Sequence, residues 1–472
     1  MFRFVLSFLL ILSPLSSVRA AAGISASGAV AAEKTARHPD SADENNDDDD
    51  GGVISLTPLQ VVVVARKMLD LNRLHAAKVL LTRASFPSSE IETERRYLLG
   101  VLALKENRID DAVDIWRELL NDNPRLTKVR FELALAYMAQ KSWYRADYHL
   151  RLAAAEKLPP GFDRQIDALR YVARQNKNWN VWFTAGAAPD DNVNNSQTGT
   201  QCLMTPFGVL CNRLNDPEKA VGFNVGGGGN YEFRFDEHWR LRVAADLFST
   251  TYRHHDEYDD LYWSVSAGPK YVWNRGEIWT VAKIGRRRYA HAPYNATIGG
   301  VLNVGYDWSR RLSVYLNTEY AAVSYKRNAD ILDGETRRVA GRAVYGINSA
   351  MYAVLRASFD REKTESEIYS NRRYTIGVGL GAELPLGFSV YAEPSVQWVR
   401  YDAPSYYVKD YRFQKIREKD RIHRYLLRLS NKNLSARGFT PEIDVAYTDK
   451  KSTIWQKEYN KLTVELSFVQ SF

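Results

Sequence analysis

Cys202 and Cys211 are the only cysteines in the chain and stand nine residues apart. Two thiols can ligate a metal or close a disulfide; with no histidine nearby, the pair reads as a disulfide closing a small loop. Chain entropy makes such a ring worth on the order of 2–3 kcal/mol. His254-His255-Asp256 is the one histidine–carboxylate cluster worth weighing for catalysis. General acid–base work needs a positioned nucleophile or water, whereas adjacent residues on a strand point to opposite faces. Glu257, Tyr258, Asp259 and Asp260 continue the segment as a polar loop, so no enzyme is expected. Gly226 to Gly229 is too uniform for a dinucleotide fingerprint and falls within a strand pattern. Together with Pro394 it is expected to weaken the ladders locally, as a bulge or bend would. The seven carboxylates between Asp40 and Asp50 lack the ligand spacing of an EF-hand and read as a self-repelling, solvated tether. No cofactor or metal is expected.

The surrounding composition narrows what could hold these residues. The chain has 472 residues, 45% hydrophobic and 25% charged, with a net charge of +8, and its length suggests two or three domains. A mean hydropathy of −0.40 and the lack of a mature apolar run of about eighteen residues exclude a helical membrane protein. With 11 Trp, 28 Tyr and 18 Phe, a wholly disordered chain is excluded too. Arg3, the apolar run Phe4 to Leu12 and the small residues around Ala20 form a signal peptide over residues 1–20. No cysteine follows as a lipid-anchoring site. Export removes nucleic acid from the expected partners. Residues 21–56 read as a disordered acidic linker.

Residues 57–177 carry helical periodicity with a repeat. Asn72-Arg73-Leu74-His75-Ala76-Ala77 returns as Asn107-Arg108-Ile109-Asp110-Asp111-Ala112, then as Lys141-Ser142-Trp143-Tyr144-Arg145-Ala146. Spacings of 35 and 34 residues are the period of tetratricopeptide helix pairs. Ala77, Ala112 and Ala146, with Gly100 and Ala134 in the preceding helices, are the small residues expected to let helices approach. Pro124 and Pro159 end the second and third units. A further helix follows over 163–175. A solenoid this short is expected to be an adaptor for a polypeptide partner.

From residue 178 the period changes to two. Trp239 to Leu247, Leu312 to Glu319, Met351 to Phe359, Phe388 to Trp398 and Leu462 to Phe468 alternate over long segments with aromatic ends. That pattern predicts an outer-membrane barrel over 178–472. Fourteen strands are expected, over 179–188, 219–234, 239–251, 259–273, 278–289, 294–307, 311–326, 336–347, 349–360, 371–385, 388–402, 419–431, 438–449 and 456–472. Short turns alternate with long loops, and the even count returns both barrel ends to the side of the helices. The fold class is therefore a short helical solenoid followed by a 14-stranded antiparallel transmembrane β-barrel. Arg240, Arg242, Asp246, Asn317, Glu319, Arg356, Glu393, Gln397, Glu442, Asp444 and Glu465 fall on inward faces. Such charges pair and narrow the lumen, or line a hydrated path. Arg286-Arg287-Arg288 near the outer rim suits lipopolysaccharide phosphates or lumen pairs.

Several stretches resemble the surface lipoprotein assembly modulator (Slam) family. They are Asn178-Trp179-Asn180-Val181 leading to Asp191-Asn192-Val193-Asn194, then Arg286-Arg287-Arg288-Tyr289, and Gly438-Phe439-Thr440-Pro441. The ending from Glu458-Tyr459-Asn460-Lys461 through Val464 to Phe472 joins them, so that with the repeats the resemblance spans about residues 57–472. Phe468 and Phe472 fit the signal read by the barrel-assembly machinery, although Gln470 stands where an apolar residue is preferred. The resemblance implies an outer-membrane translocator of Gram-negative bacteria with its helical domain in the periplasm. Its clients would be surface lipoproteins or secreted haem-binding proteins, engaged by the helical domain and guided by the barrel. Other implied partners are outer-membrane lipids and lipopolysaccharide, the barrel-assembly machinery and periplasmic chaperones. Exopolysaccharide export porins, which also join tetratricopeptide repeats to a barrel, are the alternative; their arrays are much longer.

Overall fold

The computed structural model describes residues 56–472 apart from 85, 87, 158–160, 436–438 and 472. The expected signal peptide, the linker up to Ser55, and Pro159, Gly438 and Phe472 lie outside the described residues. Seven helices come first: α1 (Pro58–Asp70), α2 (Leu74–Arg83), α3 (Ser89–Lys105), α4 (Ile109–Asp122), α5 (Thr127–Ala139), α6 (Trp143–Ala153) and α7 (Phe162–Asn176). Thr57 and Gln60 form a reciprocal capping box ahead of α1, and Pro58 occupies a first-turn position that needs no N–H donor. After α1, α3 and α5 the chain turns through Asn72, Asn107 and Lys141, with φ of 58°, 61° and 60°. These three residues open the repeated phrases, and a left-handed residue there ends one helix so that its partner can fold back. Asn tolerates that conformation better than Lys.

Small residues set the helix spacing. Ala77, Ala112, Ala134 and Ala146 are fully buried. A Cβ on Gly100 would lie 2.3 Å from the indole nitrogen of Trp116, which donates instead to the Tyr97 carbonyl at 3.2 Å. The main helical core centres on Leu69, Leu81, Leu102, Trp116 and Leu133. A second cluster, built on Phe131, Ala134, Leu150 and Ile166, joins α5 and α6 to α7.

Fourteen strands then close one antiparallel barrel. They are β1 (Trp179–Asp190), β4 (Ala220–Arg234), β5 (Trp239–Tyr252), β6 (Asp260–Trp273), β7 (Gly276–Tyr289), β8 (Ala292–Asp307), β9 (Leu312–Tyr325), β10 (Gly334–Gly346), β11 (Met351–Thr364), β12 (Asn371–Glu383), β13 (Phe388–Tyr401), β16 (Lys419–Asn431), β17 (Thr440–Ser452) and β18 (Tyr459–Ser471). β18 pairs with β1, so no edge is left unsatisfied. The long connections carry hairpins that alternation alone did not predict: β2 (Thr200–Thr205) with β3 (Gly208–Arg213), and β14 (Ser405–Lys409) with β15 (Arg412–Ile416). Long loops need internal hydrogen bonds, and these hairpins supply them.

Proline and glycine behave differently from each other in the ladders. Pro394 pairs opposite Tyr425 of β16, but the β12–β13 ladder skips from Gly377–Ser395 to Leu380–Ala392. Pro189 and Pro269 interrupt one neighbouring ladder each in the same way. The missing N–H is the cause. The weakened ladder or bulge expected at Gly226 to Gly229 is not observed: β4 pairs without interruption on both sides. Aromatic neighbours cover the glycines instead, with Trp182 3.1 Å from a Cβ position on Gly226 and Phe183 3.6 Å from one on Gly227. This is the aromatic rescue that lets glycine persist in a sheet. Outward positions such as Ile376, Val378, Leu380 and Leu355 are exposed and apolar, forming the band a bilayer covers.

Candidate functional site

Ladder register places Arg240, Arg242, Asp246, Asn317, Glu319, Arg356, Glu393, Gln397, Glu442, Asp444 and Glu465 on the interior side of the wall. Most of the charges pair along the wall and not across the lumen. Arg240 and Arg242 each lie 3.1 Å from Glu232, which also meets Lys270 at 2.8 Å. Lys283 of β7 reaches Glu319 of β9 at 3.0 Å, past Gly299 of β8. Arg356 of β11 reaches Glu393 of β13 at 3.0 Å, over Gly377 of β12. A glycine in the intervening strand clears both paths. Arg428 binds Asp444 at 2.6 Å and Glu442 at 3.1 Å, with Glu465 directly opposite Asp444. Asp246 lies against Gly228. Wall pairing leaves a polar cavity of about 810 Å³ bordered by Arg338, Arg342, Arg373, Asn317 and Gln397. The arginine run divides: Arg287 points inward and holds Asp260 at 2.6 and 2.8 Å, while Arg286 and Arg288 are exposed on the outer face.

The helical end of this lumen is crossed by α6. Tyr144 near its start stands beside Asn230 of β4, in the field of Glu232 and Glu277. Tyr148, one turn on, donates to Glu383 at the end of β12 at 2.5 Å. Arg151 reaches the Tyr315 hydroxyl of β9 at 3.1 Å. β4 and β12 stand on opposite sides of the ring, so one helix bridges the mouth. Its eleven residues give it a length of about 16 Å. Glu383 also receives Lys432 and, at 2.5 Å, the fully buried Arg130 of α5. Burial alone would raise the Asp147 carboxyl, but Lys177, Arg151 and Arg170 outweigh it and hold it well below its ordinary range. Burial, reinforced by Arg130, pushes the His149 imidazole well below its usual value.

α7 and the segments flanking it bind the rim. Arg170 and Arg174 of α7 bind Asp307 at the end of β8, the former at 2.9 Å. Arg310 in the next turn returns to Asp163 at 2.7 Å and Asp167 at 3.3 Å. Glu156 accepts from Ser349 in the β10–β11 turn, and Gln175 accepts from Arg240 at 2.9 Å. Between α4–α6 and the turns after β12 and β16 lies a cavity of about 600 Å³, lined by Tyr137, Tyr148, His149, Glu383 and Lys432, and reaching Val469 of the closing strand. Apart from Arg240, sequence reasoning missed these groups. Arg130 did carry a signal, since it is a charge on a mostly apolar helix face, whereas Asp147 shares its face with Arg151 and reads as an ordinary i,i+4 pair. Glu383 and Asp307 carried none, because strand ends are commonly acidic.

At the opposite, loop end, Cys202 and Cys211 face each other across the β2–β3 hairpin and are disulfide-bonded. The Met204 amide donates to the Tyr411 carbonyl, tying that hairpin to β14–β15. His255 meets Glu218 and Glu257, their ligand atoms all within 4.8 Å, although Glu218 is remote in sequence. His254 is not part of that group. Phe468 points outward and is half exposed.

A family model described as surface lipoprotein assembly modifier matches residues 179–472. The surface lipoprotein assembly modifier of Pasteurella multocida (strain Pm70) is 23% identical over 403 residues, covering 80% of this chain and 76% of that protein. Surface lipoprotein assembly modifier 1 of Neisseria meningitidis serogroup B is 22% identical over 384 residues, covering 80% and 75%. Among solved structures, the outer membrane channel DcaP of Acinetobacter baumannii aligns with a TM-score of 0.36 at 8% identity, covering 62% of this chain and 97% of that one.

Proposed function

Because the chain belongs to the surface lipoprotein assembly modifier family, we propose that it delivers lipoprotein clients from the periplasm to the cell surface. The closed barrel sits in the outer membrane, with the helical domain on its periplasmic side and the disulfide-bonded hairpin outside. The helical repeats engage the client and the barrel guides its passage. Barrel-assembly machinery inserts the chain through its last strand, with Phe468 and Phe472 as the signal. Periplasmic chaperones hand over the client. Soluble haem-binding proteins are a second client class.

One observation carries this reading: α6 lies across the barrel mouth, hydrogen-bonded to β12 through Tyr148 and to β9 through Arg151, with Tyr144 beside Asn230 of β4. A simple diffusion pore has no use for a helix there, whereas a translocator that admits only a docked client does. Polar groups of α1, α3 and α5 join these helices to one another: Arg66 meets Glu94, and the buried Tyr97 hydroxyl donates to Glu132 at 3.1 Å. Lys128, 3.8 Å from the Tyr97 ring, is pushed down to about 8 by burial and by Arg66. Surface immunolabelling of a lipidated client tests the proposal in cells bearing the full chain or one lacking residues 57–160. Delivery should require the helical domain, with a soluble haem-binding client scored in the medium alongside. Unchanged client display with loss of surface polysaccharide would instead identify an exopolysaccharide exporter.

A further inference from the structure

The outward face near the loop end carries a row of cations in direct register. Arg337 of β10 stands opposite Arg361 of β11, Arg361 opposite Arg372 of β12, Arg372 opposite Arg400 of β13, and Arg400 opposite Lys419 of β16. One step deeper, Arg421 faces Lys451 of β17. Directly opposed like charges in a sheet destabilise it. Two carboxylates temper the row: Glu335 holds Arg337 at 2.7 Å, and Asp402 meets Arg361 and, at 3.5 Å, Arg372. Among the described residues no carboxylate lies within ion-pair distance of Arg400, Lys419 or Arg421. All three are exposed. Four consecutive strand spacings make the row about 19 Å long.

What lies beneath the row fixes its depth. The next outward register line is Val339, Phe359, Tyr374 and Trp398, each opposite the next, with the Phe359 and Tyr374 rings 5.0 Å apart. Below it come the exposed Leu355, Ile376, Val378 and Leu380. Apolar band, aromatic line and cation row follow in that order. Aromatic side chains settle at the boundary between hydrocarbon and headgroups, so the cations lie at headgroup depth. Guanidinium groups at that level match phosphate oxygens in charge and in fork geometry.

We propose that the β10–β16 wall is a binding site for an acylated glycolipid of the outer leaflet that carries phosphates on its headgroup. Its phosphates neutralise the Arg337–Lys419 row, and its acyl chains lie along Tyr374, Trp398 and the aliphatic residues below. The lipid resolves the repulsion built into the register and gives this wall a fixed orientation in the membrane. The site depends on the barrel's orientation and not on client delivery, so the two proposals fail separately.

The test uses the purified full chain in neutral detergent, scored by the temperature at which the folded band on a gel is lost. The probes are bis-phosphorylated lipid A, fully dephosphorylated lipid A and inorganic phosphate. The variants are R372Q/R400Q/K419Q, the single change R400Q, and a charge-matched helical control, K67Q/R73Q/K78Q. Bis-phosphorylated lipid A should raise the midpoint by several degrees for the native chain and the control, by less for R400Q, and not for the triple barrel variant. Dephosphorylated lipid and inorganic phosphate should each give a much smaller rise. An equal rise in the triple barrel variant would overturn the site. Equal effects of dephosphorylated lipid would overturn the role of phosphate, and equal effects of inorganic phosphate would overturn the lipid as ligand.

Discussion

His149 lies between the Tyr137 ring at 5.5 Å and the Tyr148 ring at 5.3 Å, with Arg130, Lys432, Arg117 and Glu383 acting on it. Its folded pKa is depressed by burial first and by these cations second, outweighing Glu383. A histidine depressed in this way contributes stability that is fully present above about pH 6.5 and lost as pH falls toward its folded value, at about 1.4 kcal/mol per pH unit. Asp147 is also depressed, so its contribution holds above about pH 3.9 and disappears only below that. As pH falls below about 6.5, and before Asp147 begins to protonate, His149 therefore governs the pH dependence at α6. Thermal unfolding of the helical domain should drop across that window, and His149→Phe should flatten the dependence; an unaltered slope in the variant would refute the assignment. Glu383→Gln tests the neighbouring anchor. It leaves Arg130 and Lys432 without their shared carboxylate, and losing one partner of a buried pair costs about 3–5 kcal/mol. The helical domain should become protease-sensitive while the barrel stays folded.

At the scale of elements, Gly100 shows how tightly the helix pairs are set. Gly100→Ala places a methyl against the Trp116 indole, and overpacking of this kind costs about 1–3 kcal/mol. The helical domain should unfold at lower temperature, with the barrel's gel shift unchanged. Changing both Cys202 and Cys211 to Ser should leave the barrel assembled, because the bridge joins two strands of an outer hairpin and no ladder of the wall. Client delivery should fall at most modestly; complete loss of export at normal barrel levels would give the bridge a part in transport and contradict this. Strand existence and count were legible because residues such as Arg240 and Leu241 alternate between lumen and lipid, a constraint that every wall strand obeys. The helix pairs were legible through the 35-residue echo of Asn72 at Asn107, which the left-handed turns explain. The glycine run misled, because a residue without a side chain carries no sign of the Trp182 and Phe183 rings that cover it. The mouth was hidden for a different reason. Arg130 and Glu383 are 253 residues apart, and only the closed ring brings them together.

For the whole molecule, topology and division of labour can be separated. Cys introduced at Ser196 should react with an impermeant reagent on intact cells, and Cys at Ser142 should not; the reverse pattern would invert the orientation. Deleting residues 57–160 should leave an inserted, heat-modifiable barrel, since the strands from Trp179 to Ser471 close without help from the helices. The client should no longer reach the surface efficiently. The helix across the mouth also bears on the cell's own defence. An outer membrane keeps out bulky antibiotics and detergents only if its wide barrels are stopped. A polar cavity of about 810 Å³ without α6 at its end would be an open conduit. Planar-bilayer recordings should find the intact chain nearly silent and the truncated barrel conducting. Bacteria making the truncated form should become sensitive to drugs that the wall of the cell normally refuses.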